Sequence, residues 1–272
     1  MLQEACKLLK DEYEKCLHCV QHDDFYRKYA QEKWRHSWQV MGVGNYIIAK
    51  IEWLKDCDCA YLDMVKTAVL LHDVCRFAEI TSLCCAHAKL DHGVAASELL
   101  QTIPMFADIR IWLPIKHHGH LIEDLYNDPV YQQIDDLHLK EQVEKICFII
   151  RDADKIANLH MMCNEPDMLF LFTGTSSGDA EKDGSVSDII KQTAFSGMTV
   201  PRNFEMTMSD RMISFLSWYM DINYKYAIEF CATLGVTEKL VREYQKICRD
   251  EPFKSDFLRY FRQYLNEHQF RA

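Results

Sequence analysis

Apolar residues recur along most of the chain at the spacing of an α-helix. Near the N-terminus one apolar stripe comprises Leu9, Tyr13, Cys16, Leu17 and Val20, and a second, after Trp38, comprises Val40, Val43, Ile47 and Ile51. Positions separated by three or four residues lie on one face of a helix, so each stripe describes a helix with one buried face. The pattern therefore predicts two early amphipathic helices.

The segment Leu62–Phe77 is apolar on nearly all sides and is too long for a single buried strand. It predicts a helix in the middle of a bundle. Helical spacing also predicts helices over Asp91–Thr102, over Met105–His117 with an interruption at Pro114, and over His138–Met162. The centre of the chain is therefore expected to be all-α.

Only the segment Thr173–Asn203 departs from this pattern, because it concentrates Gly, Ser and Asp. We expect a long excursion with a short helix around Ile189 and Ile190. It is either a mobile cap or, as its composition favours, a plain surface loop. Helical spacing then returns, which predicts a single domain with an HD-like core over about 24–165, an excursion over 173–203 and a C-terminal helical extension over 204–272.

Composition narrows the classes of function. The chain has 272 residues, of which 49% are hydrophobic, enough for a sizeable core. A formal charge of -10 argues against an extended nucleic-acid surface but permits a local basic pocket for a small anion. No apolar run reaches the length of a membrane span, and the first residues resemble neither a secretory signal nor a transit peptide. We therefore expect a cytoplasmic protein without a membrane partner.

The chain contains 12 cysteines, which we expect to be reduced thiols without disulfides. Cys16 and Cys19 have the spacing of a zinc-binding pair and lie beside His18 and His22. No second pair of ligands follows nearby, and both cysteines fall on the apolar stripe of the first helix. Core packing is therefore the favoured interpretation of this pair.

Histidines and aspartates supply the strongest signal. The side chains that a helical bundle can bring together are His36, His72, Asp73, His92, His117, His118 and Asp154. Each histidine alone is most simply a hydrogen-bonded core residue. Imidazole and carboxylate groups together suit divalent ions such as zinc, iron, manganese, cobalt or nickel. The set as a whole therefore predicts a metal site.

The order of these residues resembles the HD-domain metal-dependent phosphohydrolase superfamily. Its pattern is a histidine, then a His-Asp pair at the end of a buried helix, then a distant aspartate in an "AD" segment, and it covers about His36–Met162. The resemblance implies an all-α, HD-domain-like helical bundle. It also implies that one metal ion is ligated by His36, His72, Asp73 and Asp154.

Two further histidines extend the resemblance. His92 and His118 match the extra ligands of the binuclear branch of this superfamily, in which the aspartate of the pair bridges two ions. His117 is an alternative to His118, and Asp152 competes with Asp154. The resemblance thus implies one or two divalent ions, with Fe, Mn, Zn, Co, Ni or Mg as the choices.

The chain also departs from the family pattern. Many members continue the pair as HD-x-G-K, whereas this chain has Cys75 and Arg76. A guanidinium binds phosphate in a bidentate manner, so Arg76 is expected to keep the electrostatic role of the lysine. Lys116 and Lys155 are further candidates for phosphate binding, although either is also explained as a surface lysine. No GYP motif follows the histidine pair, which argues against a cyclic dinucleotide as substrate.

We therefore expect a metal-dependent phosphohydrolase, either a phosphomonoesterase or a phosphodiesterase, that attacks a nucleotide or another small phosphorylated metabolite with a metal-activated water. Asp73 and Arg76 are the expected catalytic residues. Two alternatives stay open. The first is a di-iron oxygenase of the same fold, as in inositol oxygenase. The second is a non-catalytic, nucleotide-binding regulatory domain that signals through its C-terminal helices, with the aromatic stretch Phe215–Phe230 as a partner surface. Packing of these aromatic residues onto the core is the favoured interpretation of the stretch.

Overall fold

The regular structure of the protein is helical. The computed structural model describes residues 1–164, 184–200 and 206–269, and within these residues the regular elements are helices, with no strand among them. The prediction of an all-α fold is confirmed. The chain divides into two compact units, Met1–Asp154 and Lys155–Ala272. Their organisation as a single domain stays a prediction.

The first unit holds the residues predicted to bind metal. Its helices are α1 (Leu2–Cys19), α2 (Asp24–Lys50), α3 (Glu52–Lys55), α4 (Cys59–Leu71), α5 (Arg76–Ala86), α6 (His92–Gln101), α7 (Ile109–His117), α8 (Ile122–Tyr126) and α9 (Pro129–Gln132), together with the residues of α10 (Leu137–Asn164) up to Asp154.

Helix α4 is the central element of this unit. It packs against α1, α2 and α7, and Val69, Leu70 and Leu71 are completely buried at its C-terminal end. Burial of each such side chain contributes about 1.5 to 3 kcal/mol. The helix therefore ends inside the core, and His72 and Asp73 follow it there.

The prediction of one helix over Leu62–Phe77 is wrong in its bounds. Helix α4 begins earlier and ends at Leu71, a turn occupies residues 72–75, and α5 then begins at Arg76. Two backbone hydrogen bonds between residues three positions apart, as in a β-turn, stabilise this segment. The Val74 amide donates to the Leu71 carbonyl at 3.0 Å, and the Arg76 amide donates to the Asp73 carbonyl at 2.9 Å. The apolar run contains no glycine or proline, so its sequence gave no signal for the break.

Aspartate side chains set the starts of several helices. The residues that accept hydrogen bonds from amides of the first turn are Asp23 for α2, Asp58 for α4, Asp91 for α6 and Asp108 for α7. Such a cap contributes about 1 kcal/mol and fixes where a helix begins. It explains why α7 begins at Ile109 rather than at Met105. Pro114 lies inside α7 and does not interrupt it, contrary to the prediction.

Helices α6 and α7 approach closely at Gly93. A Cβ atom added there would lie 2.7 Å from the Lys116 carbonyl oxygen and 3.2 Å from that of Ile115. Backbone atoms cannot move aside as a flexible side chain can. The absence of a side chain at this position therefore allows the start of α6 to lie against the end of α7.

Two glycine substitutions should have opposite effects on stability. Gly93→Ala is expected to lower the free energy of unfolding by about 1 to 3 kcal/mol, because the added methyl group overlaps backbone atoms of α7. Gly42→Ala, in α2, has no atom within 4 Å of the added Cβ. It should raise the same quantity by about 0.5 to 1 kcal/mol, because alanine favours the helix. Urea unfolding of both variants measures this, and equal effects would contradict the close approach.

The second unit contains the C-terminal helices. Its described elements are α11 (Asp188–Thr193), α12 (Met208–Ser217), a 3₁₀ turn (Trp218–Asp221), α13 (Lys225–Thr233), α14 (Val236–Ile247) and α15 (Glu251–Gln269). The short helix predicted around Ile189 and Ile190 is confirmed. The parts of the predicted excursion over 173–183 and 201–203 lie outside the described residues. Whether the excursion is a cap or a surface loop stays a prediction.

Aromatic packing accounts for part of the Phe215–Phe230 stretch. Phe215 and Tyr219 are buried, and the Tyr219 ring lies 5.4 Å from the ring of Phe261. The Tyr219 hydroxyl is also within hydrogen-bond distance of the Thr237 hydroxyl, at 2.8 Å. These two aromatic residues therefore serve the core of the second unit.

None of the described helices combines the length and the apolar character that crossing a membrane requires.

All of the cysteines are free thiols. Cys16 is buried and Cys19 is exposed, so only the first of the predicted pair contributes to the core.

Candidate metal centre

Four of the predicted ligands meet inside the first unit. His36 comes from α2, His72 and Asp73 from the turn after α4, and Asp154 from α10. The His36 Nε2 atom lies 2.8 Å from Asp154 Oδ1 and 3.9 Å from Asp73 Oδ2, while His72 Nε2 lies 3.8 Å from each of these oxygens. Two atoms that each bind one ion at about 2.1 Å lie about 3.0 to 4.2 Å apart. The arrangement fits a divalent ion, with His36 and Asp154 slightly closer than that range.

A second group of ligands shares Asp73 with the first. His92 Nε2 lies 3.2 Å from Asp73 Oδ1, His118 Nε2 lies 3.6 Å from the same oxygen, and the two ring nitrogens are 3.4 Å apart. Asp73 thus presents Oδ2 to one pair of histidines and Oδ1 to the other. Among the described residues, the groups that could hold an ion are His36 with His72 and Asp73, and Asp73 with His92 and His118.

Backbone carbonyls orient two of the rings. His72 Nδ1 lies 2.9 Å from the Val69 carbonyl oxygen, and His118 Nδ1 lies 2.7 Å from that of Ile115. A carbonyl only accepts, so the proton of each neutral ring is on Nδ1 and the lone pair is on Nε2. The Nε2 atom of His72 is buried and has no hydrogen-bond partner. A metal ion would satisfy it, which is the usual arrangement for a ligating histidine.

Burial controls the charge of the first group. It lowers the pKa of His36, and it lowers the pKa of His72 to about 3. Burial also acts to raise the pKa of Asp73, but Arg76 and Lys33 outweigh it and hold that pKa well below its usual range. At neutral pH the histidines are therefore uncharged and Asp73 is ionised, which are the forms that bind metal.

Two cationic side chains and a carboxylate surround Asp73. Lys33 Nζ lies 3.4 Å from Asp73 Oδ2, and Arg76 Nε lies 3.4 Å from Asp73 Oδ1. The Arg76 guanidinium also contacts Glu79, with 2.5 Å between Nη1 and Oε2. Lys33 and Asp73 are almost completely buried. The centre is therefore a charged cluster inside the core, in which Lys33 and Arg76 supply positive charge from the protein itself.

Sequence reasoning missed Lys33 and Glu79. Lys33 precedes His36 by three residues and Glu79 follows Arg76 by three, so each lies on the same helix face as a predicted site residue. A charged residue on the buried face of a helix was the available signal. It is a weak one, because most lysines and glutamates in helices face the solvent.

The structure distinguishes between the residues that the sequence left as alternatives. His118 contributes its Nε2 atom to the second group, whereas His117 Nε2 lies 2.8 Å from Asp128 Oδ2. Asp154, and not Asp152, lies beside His36. On a helix, adjacent residues such as His117 and His118 point about 100° apart, and residues two positions apart such as Asp152 and Asp154 point about 200° apart, so the members of each pair face different surroundings.

The two lysines proposed for phosphate binding are paired with carboxylates elsewhere. Lys116 Nζ lies 2.7 Å from Asp128 Oδ2, and Lys155 Nζ lies 2.9 Å from Asp221 Oδ2. Neither contact involves the ligand groups around Asp73. Phosphate binding by these lysines stays a prediction without support from their contacts.

Buried neutral histidines should make stability depend on pH. The pKa of His72 is about 3 in the folded protein and about 6.5 in the unfolded chain, so the unfolded chain binds a proton first. The contribution of the neutral His72 to the free energy of unfolding is therefore fully present above about pH 6.5 and is lost as the pH is lowered toward about 3. In metal-free protein, His72→Gln should reduce this slope by about 1.4 kcal/mol per pH unit. Urea unfolding from pH 7 to 4.5 measures the slope, and an unchanged slope in the variant would contradict the assignment.

Comparison with known proteins gives no relative: no protein-family description, curated protein or solved structure matches the chain. The function is therefore argued from the geometry and the charges of the centre.

Proposed function

We propose that the first unit is an HD-domain-like, metal-dependent phosphohydrolase that acts on a nucleotide or another small phosphorylated metabolite. One observation carries the proposal. The residues that match the HD pattern come from distant parts of the chain, and His36 and Asp154, 118 positions apart, meet at 2.8 Å beside Asp73. A set of imidazole and carboxylate groups assembled over such separations is typical of a metal centre.

The ion would be held by His36 and His72 through their Nε2 atoms and by Asp73 and Asp154 through one carboxylate oxygen each. A divalent ion bound there supplies Lewis acidity and lowers the pKa of a water molecule toward neutrality. The buried position of Asp73, which is 2% exposed, keeps bulk water from the centre. Electrostatic interactions are stronger in such an environment.

Arg76 and Lys33 supply positive charge on both sides of Asp73. The side chain of Arg76 is 19% exposed, so it is partly accessible from outside the buried cluster. Its planar set of donors matches two oxygens of a phosphoryl group. We infer that Arg76 binds the phosphoryl oxygens and stabilises the charge that develops on them, while Lys33 stabilises the ionised form of Asp73.

Phosphate release tests the proposal. Metal-free protein is supplied separately with Mn²⁺, Co²⁺, Ni²⁺ and Mg²⁺ and incubated with nucleoside mono- and diphosphates, cyclic nucleotides and sugar phosphates. Release that requires the ion and stops on addition of EDTA supports the function. If no substrate is turned over while the ion stays bound, the result counts against the hydrolase and in favour of the oxygenase or the regulatory domain.

One observation favours a second candidate, a di-iron oxygenase. Asp73 offers its two oxygens to two separate pairs of histidines, as a carboxylate that bridges two irons would. Oxygen uptake by iron-loaded protein distinguishes the two enzymes, because hydrolysis consumes no oxygen. A regulatory domain would show neither phosphate release nor oxygen uptake, and would bind a nucleotide unchanged.

A further inference from the structure

Arg76 lies against the second group of ligands as well as beside Asp73. Its Nη2 atom is 2.8 Å from His92 Nε2, and its Nε atom is 3.4 Å from Asp73 Oδ1. These are two of the three atoms that would bind an ion in the group Asp73, His92 and His118. The guanidinium thus interacts with the ligands themselves.

A guanidinium has donors and no acceptor. The hydrogen bond at 2.8 Å therefore uses the lone pair of His92 Nε2. Coordination of a metal ion at about 2.0 to 2.1 Å requires the same lone pair in the same direction. His92 can serve Arg76 or an ion, but it cannot serve both.

Glu79 holds Arg76 in this position. Its Oε2 atom contacts Arg76 Nη1 at 2.5 Å and lies 3.4 Å from His92 Nδ1. The Glu79 side chain is 7% exposed, and displacing Arg76 would leave its carboxylate buried with one partner fewer. Removal of one partner from a buried ion pair is strongly unfavourable.

The first group has no such competitor at His72. The Nε2 atom of His72 is buried without a hydrogen-bond partner, so its lone pair is available. The His36 Nε2 atom faces Asp154, which is itself a ligand of that group. The two groups therefore have similar distances but differ in whether a cation already occupies a ring nitrogen.

Charge supports the same distinction. The carboxylates of Asp73, Glu79 and Asp154 exceed the cationic groups of Lys33 and Arg76 by one. One divalent ion reverses this balance to a small positive charge. A second ion would add two more positive charges beside Arg76, at a cost that is high in a buried site.

We propose that Arg76 takes the place of a second metal ion, so that the chain binds one divalent ion, at His36, His72, Asp73 and Asp154. Glu79 is the positioning residue that keeps the guanidinium at Asp73 and His92. This inference rests on the metal site of the proposed function and specifies its composition. The fixed cation of Arg76 would then face the phosphoryl group beside a single ion, and a mechanism that needs two irons is disfavoured.

The test is the number of ions per chain. Full-length protein is loaded with Mn²⁺ or Co²⁺, dialysed, and measured by inductively coupled plasma mass spectrometry, with isothermal titration to give the affinity. We expect one ion per chain in the wild type and a second ion in Arg76→Met, which keeps the apolar stem but removes the donors. The matched control is Arg110→Met, an arginine that pairs with Asp108, and it should still bind one ion.

Two histidine variants locate the ion while Arg76 and its contact with Glu79 are kept. His92→Gln should keep one ion with its affinity changed less than about threefold, a small free-energy difference. His72→Gln should lose the ion. Circular dichroism and thermal melts establish that each variant is folded.

The outcomes separate the two proposals. Two ions in the wild type would overturn the role of Arg76 but leave a metal-dependent hydrolase in place. Loss of the ion in His92→Gln would do the same, because it would locate the ion in the second group. No ion in the wild type under any loading would overturn both proposals. If folded Arg76→Met still binds one ion, Arg76 is not what excludes the second.

Discussion

The variant Asp73→Asn is expected to lose its bound ion and to release phosphate at least about 1,000-fold more slowly than the wild type, as is common when a principal catalytic group is removed. Asparagine keeps the size of the side chain but removes its charge and replaces one oxygen by a donor. The four-ligand group then loses an anionic ligand. Metal content and phosphate release are measured on the same preparation.

The same substitution should also destabilise the protein. Lys33 and Arg76 lie 3.4 Å from the two Asp73 oxygens, and both would keep their charge beside a neutral amide. Removing the charge of one partner in a buried ion pair lowers the free energy of unfolding by about 3 to 5 kcal/mol. The expected result is a lower free energy of unfolding in urea, measured in metal-free protein so that the lost ion does not contribute.

Asp128→Asn provides the matched control. Asp128 is also a buried aspartate, and it pairs with Lys116 at 2.7 Å and His117 at 2.8 Å. We expect this variant to lose stability but to keep its ion and its activity. If Asp73→Asn kept both, the proposed function would be wrong. If Asp128→Asn lost both, the effect of Asp73→Asn would reflect general damage to the fold.

The second large effect is expected for Arg151→Met. Arg151 is 3% exposed, and its Nη1 atom contacts the carbonyl oxygens of His117 at 3.3 Å and His118 at 3.4 Å, together with that of His120. These carbonyls end α7, where the chain turns. Methionine would fill a similar volume but leave the acceptors unsatisfied, which should lower the free energy of unfolding by about 2 to 4 kcal/mol.

Arg110→Met serves as the control for Arg151 as well. Arg110 is partly exposed and pairs with Asp108 on the same helix start, so its loss should cost less than about 1 kcal/mol. Urea unfolding of both variants gives the comparison. Because the proposed ion does not use His118, Arg151→Met should still bind one ion when folded. An effect no larger than that of Arg110→Met would show that Arg151 does not hold the end of α7.

The sequence predicted which candidate ligands come together better than it predicted what surrounds them. His36, His72, Asp73 and Asp154 follow an order along the chain that could be compared with a known pattern; His36 and Asp154 lie on helices, and His72 and Asp73 lie in the turn after α4. The roles of His117 and His118 could not be separated, since two adjacent imidazoles have the same local sequence. In the structure His117 pairs with Asp128, whereas His118 is oriented by the Ile115 carbonyl and lies 3.4 Å from His92.

The break between α4 and α5 could not be predicted for a different reason. Residues Val74 and Cys75 continue the apolar character of α4 and are buried. Burial stabilises these side chains whether they lie in a helix or in a turn, so their apolar character does not distinguish the two. With this turn, His72 Nε2 lies 3.8 Å from Asp154 Oδ1, and Asp73 Oδ2 lies 3.9 Å from His36 Nε2. Contacts between distant residues therefore override the local helical preference there.

The hydrogen bond from His72 Nδ1 to the Val69 carbonyl has a consequence for how the protein would acquire the proposed ion. The ring already carries its single proton on the far side, and burial keeps a second proton away at neutral pH. Capture of the ion by this ligand then involves no exchange of protons with the solvent. Occupancy would follow the concentration of free metal ion instead of acidity, so the supply of metal ions, and not a shift in pH, would determine when this histidine is engaged.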